Sequence, residues 1–135
     1  VKRGVLIADD DPPLLNLLRV VIGRDPRAEV VACRDGEEAI RALSQRHFDV
    51  ILLDLMMPRC SGLDVIDYLR RRHPEQLQIV LVLTAATDEM TRRLDPGVVH
   101  GVIAKPFDTG AILGIVGNIL DTADGTGPVS LTRRL

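Results

Sequence analysis

The chain has 135 residues, 46% hydrophobic and 27% charged, which fits one soluble globular domain with its own core and excludes a disordered chain. A formal net charge of −2 and an aromatic content of 2% argue against a nucleic-acid surface or a base-stacking platform. No apolar run is long enough to span a membrane and no signal peptide opens the chain, while two cysteines, Cys33 and Cys60, are too few for a disulfide framework, so reduced thiols and a cytoplasmic location are expected.

Strand and helix signals alternate along the chain. Val5-Leu6-Ile7-Ala8 is a short apolar run that ends in Asp9-Asp10-Asp11. Pro12 and Pro13 suit a first helical turn, with Asp11 as its N-cap. Leu14, Leu15, Leu17, Leu18, Val21 and Ile22 then recur at helical spacing, and Gly23 marks the stop. Glu29 to Cys33 is the second strand. Asp35 and Glu38 form a capping-box-like pair ahead of a helix with Ala39, Ile40 and Leu43 on its apolar face. The third strand runs through Val50-Ile51-Leu52-Leu53 and ends on Asp54. Ser61 and Asp64 start the next helix by the same capping logic. Gln78 to Leu83 is a fourth buried strand ending at Thr84, and Val99 to Ala104 a fifth ending at Lys105. A last helix is expected from about Asp108 to Leu120. Five strand-helix alternations predict an α/β domain with a mostly parallel sheet, helices on both faces and right-handed crossovers.

Four of those strands end in a polar residue: Asp9-Asp10, Asp54, Thr84 and Lys105. In an open parallel sheet the carboxyl ends of the strands share one edge, and that edge holds the ligand site. Three carboxylates, a hydroxyl and an amine therefore converge. Clustered acids repel one another, and a hard divalent cation removes that repulsion. Mg²⁺ suits the site, since it accepts few protein carboxylates and keeps several waters. An amine and a hydroxyl beside it would hold a phosphoryl group, and an aspartate can be the nucleophile that accepts one.

The segments "LIADDDPP", "DVILLDLMMPRCSGLD", "VLTAAT" and "AKPF", in that order at successive strand ends, resemble the receiver domain of two-component response regulators. The resemblance covers most of residues 4 to 120. It implies a flavodoxin-like, doubly wound five-stranded parallel sheet of order 2-1-3-4-5. It also implies Asp54 as the phospho-acceptor, Asp10 as a direct ligand of Mg²⁺ (or Mn²⁺), and Asp9 as a neighbour acting through water. The Met56 backbone carbonyl is then a third metal contact. Thr84 is the hydroxyl that moves onto the phosphoryl group, and Lys105 the amine that pairs with Asp54 and then with phosphate. Pro106 follows through a peptide bond that is commonly cis, and Met57, Pro58 and Gly62 shape the pocket loop. The implied partner is a sensor histidine kinase or a histidine phosphotransfer protein, with homodimerisation as a further interaction. Such a domain is no conventional enzyme: it catalyses its own phosphorylation and hydrolyses its own phosphate.

Other features have plainer expected roles. His47, His73 and His100 lack metal-ligand spacing and belong on the surface. Arg70-Arg71-Arg72 is a solvated helix end whose charge suits the macrodipole. Cys60 is a loop residue, and Gly110, Gly114 and Gly117 are expected to let the last helix pack closely on the sheet. Two features depart from the family pattern: Val102 stands where an aromatic is usual, and Pro96-Gly97 should end the fourth helix early. Two rival readings are a pseudo-receiver acting only as an interaction module, and a flavodoxin-like cofactor binder. The second would need a phosphate-cradling loop after strand one, where acids stand instead. The receiver is expected over residues 1–122, with 123–135 as linker or tail, too short for an output domain.

Overall fold

A computed structural model describes residues 2–85 and 89–125. Five parallel strands alternate with helices: β1 (Arg3–Ala8), α1 (Pro12–Ile22), β2 (Ala28–Cys33), α2 (Gly36–Gln45), β3 (Val50–Asp54), α3 (Gly62–Arg72), β4 (Val80–Thr84), α4 (Glu89–Arg92), β5 (Gly101–Ala104) and α5 (Thr109–Ala123). The strands order as β2-β1-β3-β4-β5, all neighbours parallel. The order reverses at β1, so β1 and β3 flank the crevice where such sheets bind ligands.

Apart from the half-buried Arg3, β1, β3 and β4 are buried on both faces of the sheet, which accounts for their near-continuous apolar sequence. On one face Leu6, Ala8, Ile51, Leu53, Val80 and Val82 pack against Ala39 and Leu43 of α2 and Val65, Ile66 and Leu69 of α3. On the other, Val5, Ile7, Val50, Leu52, Leu81 and Leu83 pack against Leu15, Leu18 and Ile22 of α1 and Ile112, Val116, Ile119 and Leu120 of α5. Edge strand β5 alternates half-buried with exposed residues, and its Val102 faces outward.

Local signals hold at several helix ends and fail at others. Ser61 and Asp64 make the reciprocal capping box of α3, and Gly23 caps α1. Asp35 caps α2 by accepting from the Glu38 N–H at 2.9 Å, but the Glu38 carboxylate takes the Arg34 N–H instead of closing the box. Asp11 occupies the N-cap position of α1 without a side-chain cap bond; its own N–H donates to Asp9 Oδ1 at 2.9 Å. The fourth strand starts two residues later than its apolar run. Pro74 opens a 3-10 segment that carries the chain through Gln78 and Ile79, and the Gln76 side chain accepts from the Phe48 N–H at its base. Strand β5 likewise starts at Gly101. Helix α4 has four residues and Pro96 opens a short 3-10 turn, in line with an early stop. Of the stretch 123–135, read as linker or tail, Ala123 still belongs to α5 and Asp124 pairs with Arg3 and Arg27, and residues 126–135 lie outside the described residues.

The glycines of α5 contradict the sequence expectation. Gly110 and Gly114 are exposed and Gly117 half-buried, and a Cβ on Gly114 or Gly117 would meet nothing within 4 Å. The stripe that packs on the sheet is Ile112, Val116, Ile119 and Leu120, so the glycines give no close approach.

Candidate functional site

Strand register brings the polar strand ends to one edge. Ala8 pairs with Leu53 and, on its other side, with Cys33, which places Asp9 level with Asp54. Asp54 pairs with Leu83, and Thr84 with Ala104. Thr84 and Lys105 therefore step successively along the same edge. The Lys105–Pro106 peptide is cis, and the Lys105 N–H donates to the Thr84 carbonyl at 2.6 Å.

Asp9, Asp10 and Asp54 each offer a carboxylate oxygen, all within 4.8 Å of one another. Asp9 and Asp54 are buried and Asp10 is exposed, so the cluster opens to solvent on the Asp10 side. Lys105 Nζ donates to Asp9 Oδ2 at 2.8 Å and lies 3.4 Å from Asp54 Oδ2. The lysine thus spans both buried acids and sits closer to Asp9. Asp54 Oδ1 accepts from the Met56 N–H at 3.2 Å. Thr84 is buried at the tip of β4, with its hydroxyl 3.4 Å from that of Thr91.

Electrostatics at this edge are unbalanced. Burial, and then the charge of Asp9, push the Asp54 carboxyl up to about 6. Lys105 and the Met56 N–H pull the other way without cancelling them. For Lys105 burial opposes the charge, yet the hydrogen bond to Asp9 and the charge of Asp54 together raise its pKa above the ordinary value. Three oxygen donors of like charge with one shared ammonium suit a hard divalent cation. A six-coordinate Mg²⁺ with bonds of about 2.1 Å separates opposite ligands by roughly 4 Å, a span comparable with the spread of this cluster.

The sequence profile of the response regulator receiver domain matches residues 5–117. The chain belongs to the response regulator receiver domain family. Two relatives illustrate its range. The response regulator protein PilR of Pseudomonas aeruginosa is 29% identical over 119 residues, which cover 88% of this chain and 26% of PilR. The nitrate/nitrite response regulator protein NarP of Escherichia coli is 36% identical over 110 residues, covering 81% of this chain and 51% of NarP. This receiver domain therefore spans about a quarter to a half of those relatives' length. Response regulator TrrA of Thermotoga maritima, solved in complex with Mg²⁺-BeF, superposes with a TM-score of 0.73 at 24% identity, over 87% of this chain and 98% of that one. That likeness bears on the fold, which is the five-stranded order 2-1-3-4-5 expected of a receiver domain.

The loop between β3 and α3 holds the receiver domain's remaining sequence-picked residues. Met57 is buried, Pro58 exposed, and Met56 51% exposed at the mouth of the cluster. The Gly62 N–H donates to the Leu55 carbonyl at 2.9 Å. A Cβ on Gly62 would overlap the Asp54 carbonyl and the Leu55 Cα, so only glycine lets α3 start this close to the end of β3. Pro106 lies exposed beyond Lys105. Sequence reasoning missed Arg59, whose backbone is left-handed (φ 66°) and whose guanidinium pairs with buried Asp35. Nothing in the local sequence marks an arginine for positive φ, since glycine and asparagine are the usual occupants. Cys33 and Cys60 are free thiols, and burial pushes Cys33 up to about 12, which makes it inert. Among the described residues no helix is long and apolar enough to cross a membrane.

Proposed function

We propose that this receiver domain accepts a phosphoryl group on Asp54 in a Mg²⁺-dependent reaction, with a sensor histidine kinase or a histidine phosphotransfer protein as donor. The observation that carries the proposal is the meeting of Asp9, Asp10 and Asp54 within 4.8 Å beside Lys105. In the transfer, an Asp54 carboxylate oxygen forms the new O–P bond while the donor's bond to phosphorus breaks and its electron pair leaves with the donor. Asp10, Asp9, Asp54 and the Met56 carbonyl would hold Mg²⁺, or Mn²⁺, which would supply positive charge for the phosphoryl oxygens.

The chain's own residues supply position and charge. Lys105, already poised between both buried acids, keeps an ammonium beside the oxygens that become charged, where a low dielectric magnifies its effect. The Met56 N–H holds one Asp54 oxygen and so orients the other. Thr84, at the same edge, is the hydroxyl that would follow the phosphoryl group. An acceptor pushed up to about 6 is mostly ionised, and hence nucleophilic, at pH 7 and above. Water attack on the same phosphorus would return the free carboxylate. Val102, small and already facing outward, has no ring to swing into space that Thr84 vacates, so the response of α4 and β5 to phosphorylation is small and dimerisation through that face gains little. The free thiols fit a cytoplasmic setting.

Incubation with a small acyl phosphate and Mg²⁺ tests this. One acid-stable, base-labile phosphoryl group should appear on the wild type and none on Asp54→Asn. Equal labelling of that variant would overturn the assignment. A pseudo-receiver would take no label at all, and the intact acid set with its lysine argues against that reading.

A further inference from the structure

The β3–α3 loop is tied down at both ends. Its start is held by the Met56 N–H on Asp54 Oδ1, at 3.2 Å. Its end is held by the Gly62 N–H on the Leu55 carbonyl, at 2.9 Å. Between these ties the loop rests on α2 at two adjacent residues. The Arg59 guanidinium pairs with Asp35 Oδ2, and the Cys60 carbonyl lies so close to Gly36 that a Cβ there would overlap it. Asp35 is itself fixed: it is buried, and its other oxygen caps α2 through the Glu38 N–H. The anchor on the α2 side is therefore rigid before Arg59 reaches it.

Stability alone does not account for arginine at this position. Its backbone lies at φ 66°, where glycine is unstrained and a side chain is penalised. Its side chain is 63% exposed, and ion pairs with an exposed partner contribute little to folding. What the arginine does is fix the middle of a loop whose first residues carry the Met56 carbonyl. We propose that Arg59 is a positioning residue: by clamping the loop to Asp35 it sets the Met56 backbone for the divalent cation held by Asp10 and Asp54. The inference rests on the metal reading of that acidic cluster.

The test is Mn²⁺ titration of the intact chain, followed by the loss of the free-ion paramagnetic signal, alongside urea unfolding without metal. Arg59→Gly keeps the left-handed backbone and removes the clamp. Its unfolding midpoint should stay level or rise while Mn²⁺ affinity falls about tenfold, the scale expected when an outer support of a metal site is lost. Arg59→Lys should recover most of that affinity. Asp35→Asn, which keeps an oxygen for the α2 cap, should match Arg59→Gly, and combining the two should add no further loss. Asp10→Ala separates the two levels of the argument. If it leaves Mn²⁺ affinity intact, the metal reading falls and the inference with it. If it weakens binding while Arg59→Gly binds like the wild type, the metal reading stands and the positioning role is overturned.

Discussion

Asp54→Asn should stabilise the metal-free protein at pH 8. In the folded chain the Asp54 carboxyl is raised from 3.8 to about 6, first by burial and then by Asp9. The side chain is only 4% exposed, so solvent screening removes little of the effect. A shift of roughly two units at about 1.4 kcal/mol per unit amounts to about 3 kcal/mol. Because an acid's folded-state pKa is raised, the native state keeps a proton between pH 4 and 6 that the unfolded chain has released. Stability from this group is therefore highest below pH 4 and falls as pH rises to 6. Asparagine cannot ionise, and its amide oxygen can still accept the Met56 N–H. Urea unfolding in chelator should show the variant more stable by about 3 kcal/mol at pH 8, with the gap closing towards pH 4. Adding Mg²⁺ at pH 8 should narrow the gap, since ligand binding stabilises the wild type. A variant less stable than the wild type at pH 8 without metal, or a gap independent of pH, would refute the reasoning.

Further consequences follow from neighbouring residues. Lys105→Ala leaves Asp9 and Asp54 buried without their cation and should cost about 3 kcal/mol at pH 8 in chelator, part of it restored by Mg²⁺; urea titrations with and without the ion check both halves. Gly114→Ala and Gly117→Ala, facing open space on α5, should each add about 0.5–1 kcal/mol through helix propensity, and a loss instead would mean that this face is already covered. Asp11→Ala should change stability by less than about 0.5 kcal/mol, because its carboxylate makes no cap bond, whereas Ser61→Ala, which breaks a complete capping box, should cost about 1 kcal/mol.

The site is legible because the buried strands β1, β3 and β4 and the edge strand β5 each run into a polar residue straight after an apolar stretch. Asp9, Asp54, Thr84 and Lys105 follow runs of aliphatics, and parallel topology does the rest. Boundaries were less legible. Gln78 and Ile79 look like strand, but Pro74 and the buried Gln76 side chain keep the chain in a 3-10 turn until Val80. Asp11 stands at the right position for a cap, yet Pro12 and Pro13 fill the first two helical positions and offer its carboxylate no N–H, while its own N–H goes to the Asp9 carboxylate. The glycines of α5 carry no hydrophobic signal, so their spacing marks a face without saying which way it points. Only the aliphatic stripe Ile112, Val116, Ile119 and Leu120 does that. Arg59 was invisible because its role depends on a backbone angle and a partner 24 residues earlier.

The central claim is that Asp54, among several acids within reach, is the residue that takes the phosphoryl group. Borohydride reduction of the chain after reaction with an acyl phosphate and Mg²⁺ converts an aspartyl phosphate to homoserine, which peptide mass analysis locates by residue. The account predicts homoserine at position 54, dependent on Mg²⁺ and absent when chelator replaces the metal. Homoserine at 9, 10 or 11, or phosphate retained on His47, His73 or His100, would contradict it.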